Sequence, residues 1–194
     1  MKELLVYLYD NCAISDVSII TLFVNEEKNL RITTFAENSA PISTIDGFQI
    51  IPDLDIAHIE SYENYIGLIL PGGKIDSLSE PLEKIILHFE KAQKTIGAFC
   101  AGPIFLALAG ILTDHHYTTS LSPERFQNEN KVDPFPRDNY VDCKYVVDGN
   151  LITAKGVAIL EFADQFINAL GLFADEGSKG YTQKKFRSAY SPKW

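Results

Sequence analysis

Cys100 lies in the stretch Thr95-Ile96-Gly97-Ala98-Phe99-Cys100-Ala101-Gly102-Pro103, among the neighbours a nucleophile needs. An apolar run reading as the end of a buried strand turns through Cys100, flanked by the small residues Ala98 and Gly102, into a stretch of helical spacing. This small-x-Cys-x-Gly pattern is the sulfur counterpart of the strand-turn-helix elbow that lifts a nucleophile on a tight turn. Larger flanking side chains would collide with the adjoining strand or helix. Pro103 suits a first helical turn, where its missing N–H has no partner to lose. A cysteine at a helix start is expected to have a lowered pKa, because the dipole favours thiolate over thiol. The alternative is a buried cysteine acting as a small hydrophobe. Gly72-Gly73, closing another apolar run, also has two readings: backbone N–H groups aimed at an oxyanion beside Cys100, or a permissive turn.

The elements that must position these residues follow from periodicity. Apolar runs at residues 4–9, 30–35, 65–70 and 95–99 read as buried strands, and 140–147 with 151–153 as a strand pair around Asp148-Gly149. Residues 41–51 form a hairpin-like region with Asp46-Gly47 as its turn. Helical patterns cover residues 16–24, 81–93, 101–109 and 157–170, with a weaker one from Leu121; Leu82, Ile85, Ile86 and Phe89 share one face. Strands alternating with helices predict an α/β sandwich, a mostly parallel sheet between helical layers. Sites in such folds form at the carboxyl ends of strands, which here means the loops 10–16, 71–74 and the Cys100 elbow. The first carries no glycine fingerprint and no phosphate loop occurs, which counts against nucleotide binding.

Composition narrows the class. The chain has 194 residues, 46% hydrophobic and 22% charged, enough for one full core. A formal net charge of −9 argues against a general nucleic-acid or membrane-surface protein. Three cysteines without paired spacing make no disulfide framework. Met1–Tyr9 is too short to read as a signal peptide, and no run has the length of a membrane span. A cytoplasmic, reduced location is expected, with no metal site, no cofactor, no nucleic acid and no membrane partner. The tail interleaves Lys184, Lys185, Arg187 and Lys193 with Tyr181, Phe186, Tyr190 and Trp194. Such interleaving can bind nucleic acid, but a docked or mobile terminus is preferred.

Leu70-Pro71-Gly72-Gly73, the elbow, Gly110-Ile111-Leu112, Tyr117-Thr118-Thr119 and the late stretch Val147–Gly156 with Glu161-Phe162-Ala163 resemble the DJ-1/PfpI (ThiJ/PfpI) superfamily. The resemblance covers roughly residues 3–172. It implies a flavodoxin-like three-layer sandwich, frequently dimeric, in a family of glyoxalases, proposed deglycases, proteases or amidases, isonitrile hydratases, stress chaperones and redox sensors. Ala-Gly-Pro after the cysteine is similar to the DJ-1 branch; the protease-like branch has histidine where this chain has Ala101. The family places an acid, usually glutamate, where it hydrogen-bonds the cysteine, and the alignment puts Asp16 there. Asp16 is one methylene shorter, and is expected to be protonated and to donate to the sulfur. A helix-start acid complementing the dipole is its alternative. Family members often carry histidine after the Thr-Thr pair, where this chain has Ser120.

The site is therefore expected to comprise Cys100 and Asp16 as catalytic groups and Gly72, Gly73 and Ala101 as backbone donors. Ser120, Cys12, His115 and His116 are candidate wall residues. For the two histidines a solvated surface turn is the alternative, and a complete Cys-His pair is not supported. Cys12 also fits a packed thiol, and Cys143 fits a strand core. The expected architecture is one domain over residues 1–175 followed by the basic-aromatic tail 176–194. The expected function is a cysteine-dependent enzyme acting on a small carbonyl or amide compound, glyoxalase/deglycase- or amidase-like, and the expected assembly is a homodimer. The competing class is a non-turnover redox-sensing or stress-response protein in which Cys100 is oxidised to sulfinate.

Overall fold

The computed structural model describes residues 1–59 and 61–172; the tail expected over 176–194 lies outside the described residues. Strand β1 (Lys2–Tyr7) leads through a 3-10 turn (Ile14–Asp16) into helix α1 (Ser18–Val24). Strand β2 (Leu30–Ala36) is followed by the two-residue strands β3 (Ile42–Ser43), β4 (Gln49–Ile50) and β5 (Leu54–Asp55). Then come β6 (Tyr65–Leu70), α2 (Glu80–Lys91), β7 (Thr95–Phe99), α3 (Pro103–Leu108) and α4 (Pro123–Asn128). The described chain closes with β8 (Tyr145–Asp148), β9 (Leu151–Ala154) and α5 (Ile159–Ala169).

Seven strands form one sheet in the order β5-β2-β1-β6-β7-β9-β8, parallel except for β8, which runs antiparallel to β9. Strand side chains alternate between faces, and β1 shows the consequence. Leu5 and Tyr7 join a core with α2 and α3, whereas Leu4, Val6 and Leu8 join a second core with α1 and α5. Both sheet faces are thus covered, giving the flavodoxin-like three-layer α/β sandwich with a mostly parallel sheet. The switch in strand order falls at β1, which has β2 on one side and β6 on the other. The loops after β1, β6 and β7 therefore converge on one crevice at the carboxyl edge, the place this topology reserves for a site.

The structure departs from the periodicity in several places: β1 ends at Tyr7, not Tyr9, and Asp16 lies in a 3-10 turn ahead of α1. Residues 140–144 do not extend β8; Tyr140 instead forms an isolated bridge with Tyr117, and a bend separates it from the strand. Cys143, expected in a strand core, sits half-buried in that bend and directs its thiol to the Tyr145 carbonyl at 2.9 Å. The edge strand β5 carries no apolar run long enough to announce it; two residues suffice because Phe35 and Ala36 supply its register.

Candidate active site

The elbow is built around a strained residue. Cys100 has φ of +60°, a left-handed conformation that costs a non-glycine residue about 1–3 kcal/mol and persists only where its surroundings enforce it. Here they do: Cys100 N–H donates to the Ala154 carbonyl at 2.8 Å, and its own carbonyl accepts from Ser120 N–H and Thr119 Oγ1, both at 3.0 Å. β9 and the Thr118–Ser120 segment thus clamp the cysteine from both sides. The close approaches leave no room for flanking side chains. A Cβ on Gly102 would stand 2.2 Å from the Leu70 carbonyl oxygen, and one on Gly72 would meet Asp16 Oδ2 at 2.7 Å, Cys100 Cβ at 2.8 Å and Ala101 N at 2.9 Å.

Gly72 is therefore where the carboxyl and thiol residues meet. Its N–H donates to Asp16 Oδ2 at 2.9 Å, fixing a half-buried carboxyl carried by the 3-10 turn ahead of α1. Burial pushes the Asp16 carboxyl up to about 6, against the Gly72 hydrogen bond that lowers it, with the charge of Asp46 adding to the rise. Burial also raises the Cys100 thiol; the Ser120 hydroxyl and Ala101 N–H, both bonded to the sulfur, and the charge of Arg125 pull it down, whereas the charge of Asp16 pushes it up. The net direction is upward. This reverses the expectation of a thiol lowered by a helix dipole. Helix α3 has only six residues and starts at Pro103, so its dipole is small and set back from the sulfur. The order also bears on Asp16, which is protonated only below about 6 and carries a charge where the thiol titrates.

Ser120 occupies the position where the resemblance led one to look for histidine. Its Oγ accepts from Gly156 N–H at 2.9 Å, which leaves its proton for the sulfur. Gly156 itself lies over Cys100: a Cβ there would be 3.3 Å from Sγ. Ala101 and Gly73 line one end of a cavity of about 440 Å3 that opens beside the elbow. Cys12 is buried in the core under α1, with its backbone bridged to Gly73, so it adjoins the site through main chain. His115 and His116 are not brought to the site. His115 Nε2 lies 3.2 Å from Glu90 Oε1 and His116 Nδ1 lies 3.3 Å from Asp148 Oδ2. Asp148 pairs with Leu151, at the start of β9, whereas Cys100 follows the far end of β7; the histidines thus occupy the opposite edge of the sheet.

Two contributors escaped the sequence reading. Asp46, read only as a hairpin turn, accepts from Ile14 N–H at 2.6 Å and Ser15 N–H at 3.4 Å, tying the hairpin to the turn that carries Asp16. Gly156 lay within the late stretch without any sign that it covers the sulfur. The Asp46-Gly47 pair and its flanking alternation marked the hairpin, but nothing local says what a turn carboxylate reaches across 32 residues. Among the described residues, no three His, Cys, Asp or Glu side chains gather in a way that could hold a metal ion, and no helix is long and apolar enough to cross a membrane.

Comparison with known proteins agrees with this fold. The chain is 29% identical over 158 residues to the uncharacterized protease YoaZ of Bacillus subtilis, covering 79% of this chain and 73% of that protein. It is 27% identical over 159 residues to the glutathione-independent glyoxalase DJR-1.2 of Caenorhabditis elegans, covering 78% of this chain and 80% of the other. The fold matches the crystal structure of the DJ-1 superfamily protein Atu0886 from Agrobacterium tumefaciens with a TM-score of 0.80 at 20% identity, covering 98% of this chain and all of the other (100%). Residues 2–169, nearly the whole described chain, match the DJ-1/PfpI family, and the chain belongs to that family.

Proposed function

We propose that this protein is a cysteine-dependent enzyme that acts on a small carbonyl or amide compound through Cys100. The observation that carries the reading is the strained elbow itself: a half-buried thiol held at φ +60° beside a carboxyl whose pKa of about 6 lies close to neutral pH. Cys100 sulfur forms a bond to the electrophilic carbon while the carbonyl π pair moves onto oxygen. The thiol proton passes to the Asp16 carboxylate, which returns it to the departing or rearranging group. Ala101 and Gly73 N–H groups stabilise the developing oxyanion, and the Ser120 hydroxyl supports the thiolate. Asp16 is then a general base rather than a permanent hydrogen-bond donor. The names of the protease and glyoxalase relatives support a hydrolase or lyase of this kind.

A redox-sensing role is the second reading, favoured by the same donors on the sulfur, which would also satisfy the oxygens of a sulfinate. Turnover separates the two. A panel of glyoxals, amides and isonitriles is offered to the wild type and to Cys100→Ser. The enzyme reading predicts turnover of one class above the rate of free thiol, lost in Cys100→Ser; no turnover by the wild type on any class would favour the sensor.

A further inference from the structure

We infer that the substrate carries an apolar side chain of several carbons next to its electrophilic carbon, and that the cavity beside the elbow is built to hold it. This rests on the catalytic reading of Cys100 and adds what the site selects. The floor of the cavity begins next to the nucleophile: Ala101, the residue after Cys100, lines it together with Ile104 and Leu108 of α3. Phe126 and Leu121, from the α4 segment, form the facing wall. Ala101, Ile104, Phe126 and Leu121 are all buried, so this wall is part of the core and keeps its shape without a ligand.

Of the charged groups around this apolar floor, Asp76, Arg125, Glu129 and Lys131 pair with one another, and Lys74, next to Gly73, stands outside that network. Glu129 pairs with Arg125 at 3.0 Å and Lys131 at 3.1 Å, and Lys131 pairs with Asp76 at 3.3 Å. The four paired groups offer little to a strongly charged ligand and Lys74 sits at the Gly73 end by the reacting centre, while the floor offers apolar area that is favourable to cover. Size points the same way. At about 30 Å3 for each water-sized group, a cavity of about 440 Å3 accommodates several times what a two- or three-carbon dicarbonyl contains. A small dicarbonyl would engage the thiol and leave this wall uncovered.

The test uses covalent probes that differ only in the chain they carry. Iodoacetamide, N-hexyl iodoacetamide and N-phenethyl iodoacetamide react alike, an S–C bond forming as the C–I bond breaks and iodide leaves. Labelling rates at Cys100 are read by mass spectrometry of the intact protein and its peptides, each divided by the rate of the same probe with free N-acetylcysteine. The hexyl and phenethyl probes are expected to label Cys100 about tenfold faster than iodoacetamide, with saturation. Leu108→Trp and Val132→Trp, at partly exposed and exposed positions on the cavity, should bring that ratio towards one by filling the space. Leu87→Trp, exposed on α2 away from the cavity, should preserve it. Equal normalised rates in the wild type, or a preference that survives both filling variants, overturns the inference while leaving Cys100 reactive. Failure of iodoacetamide itself to label Cys100 overturns the catalytic reading and this inference with it.

Discussion

At the residue scale, the site is a thiol and a carboxyl brought together over a glycine, and their order of titration sets the behaviour. Asp16, raised to about 6 by burial, ionises before Cys100, whose thiol burial also raises. Activity that uses Asp16 as a base should therefore climb with pH through about 6, and a pH–rate profile of kcat/KM checks this. Asp16→Asn keeps the Gly72 contact but cannot take a proton, so kcat should fall by about 10²–10⁴-fold. The same variant removes a negative charge near the sulfur and should lower the Cys100 pKa, read from ultraviolet thiolate absorbance. Stability follows with a defined sign. The folded protein holds the Asp16 proton more tightly than the unfolded chain, whose carboxyl has its ordinary value near 3.8. The Asp16 contribution to wild-type stability therefore falls as pH rises from about 4 to 6 and then levels. Asp16→Asn should lack that component, so thermal melting of the two proteins should diverge across that window. Ser120→Ala, which removes a hydroxyl bonded to the sulfur, should raise the thiol pKa further.

At the element scale, the elbow depends on how closely β6, β7 and α3 approach. Gly102→Ala places a methyl group 2.2 Å from the Leu70 carbonyl, a clash with backbone that cannot rotate away. A loss of at least about 1–3 kcal/mol is expected, visible as a fall in the denaturation midpoint. These approaches were legible in the chain because the requirement is local: a small residue on each side of a nucleophile, an apolar run before it, a proline after it. The same held for β6, β7 and the alternation of strands and helices, whose periodicity reflects which faces are buried. What the hairpin does was not legible. Ser43 accepts from Asn11 N–H at 2.8 Å, Ile45 N–H donates to the Cys12 carbonyl at 3.0 Å, and Asp46 caps the turn carrying Asp16. These contacts join segments about thirty residues apart, and only folding brings them together. The histidines failed for the converse reason: His115 and His116 are close in sequence to Thr118–Ser120, but the chain runs the height of the sheet between them.

At the scale of the whole molecule, Leu22 of α1, Ile45 and Phe48 at the hairpin and Ile51 just beyond it are among the exposed apolar residues, from 49% to 72% exposed, and Leu22 and Phe48 line one shared surface depression. We propose this surface as the contact of the homodimer that the family resemblance implies. The double variant Ile45→Asp, Phe48→Asp should sediment as a monomer where the wild type sediments as a dimer; unchanged sedimentation would place the contact elsewhere. Because the hairpin also holds the Asp16 turn, the monomeric form should lose activity along with its partner. The central claim, that turnover belongs to Cys100, is tested most directly by titrating the protein with mild peroxide and following sulfinate at Cys100 and turnover on the same samples. The account predicts that activity falls in proportion to the sulfinate fraction, reaches zero when Cys100 is fully oxidised, and is not restored by reductant. Full turnover by protein whose Cys100 is entirely sulfinate would contradict it.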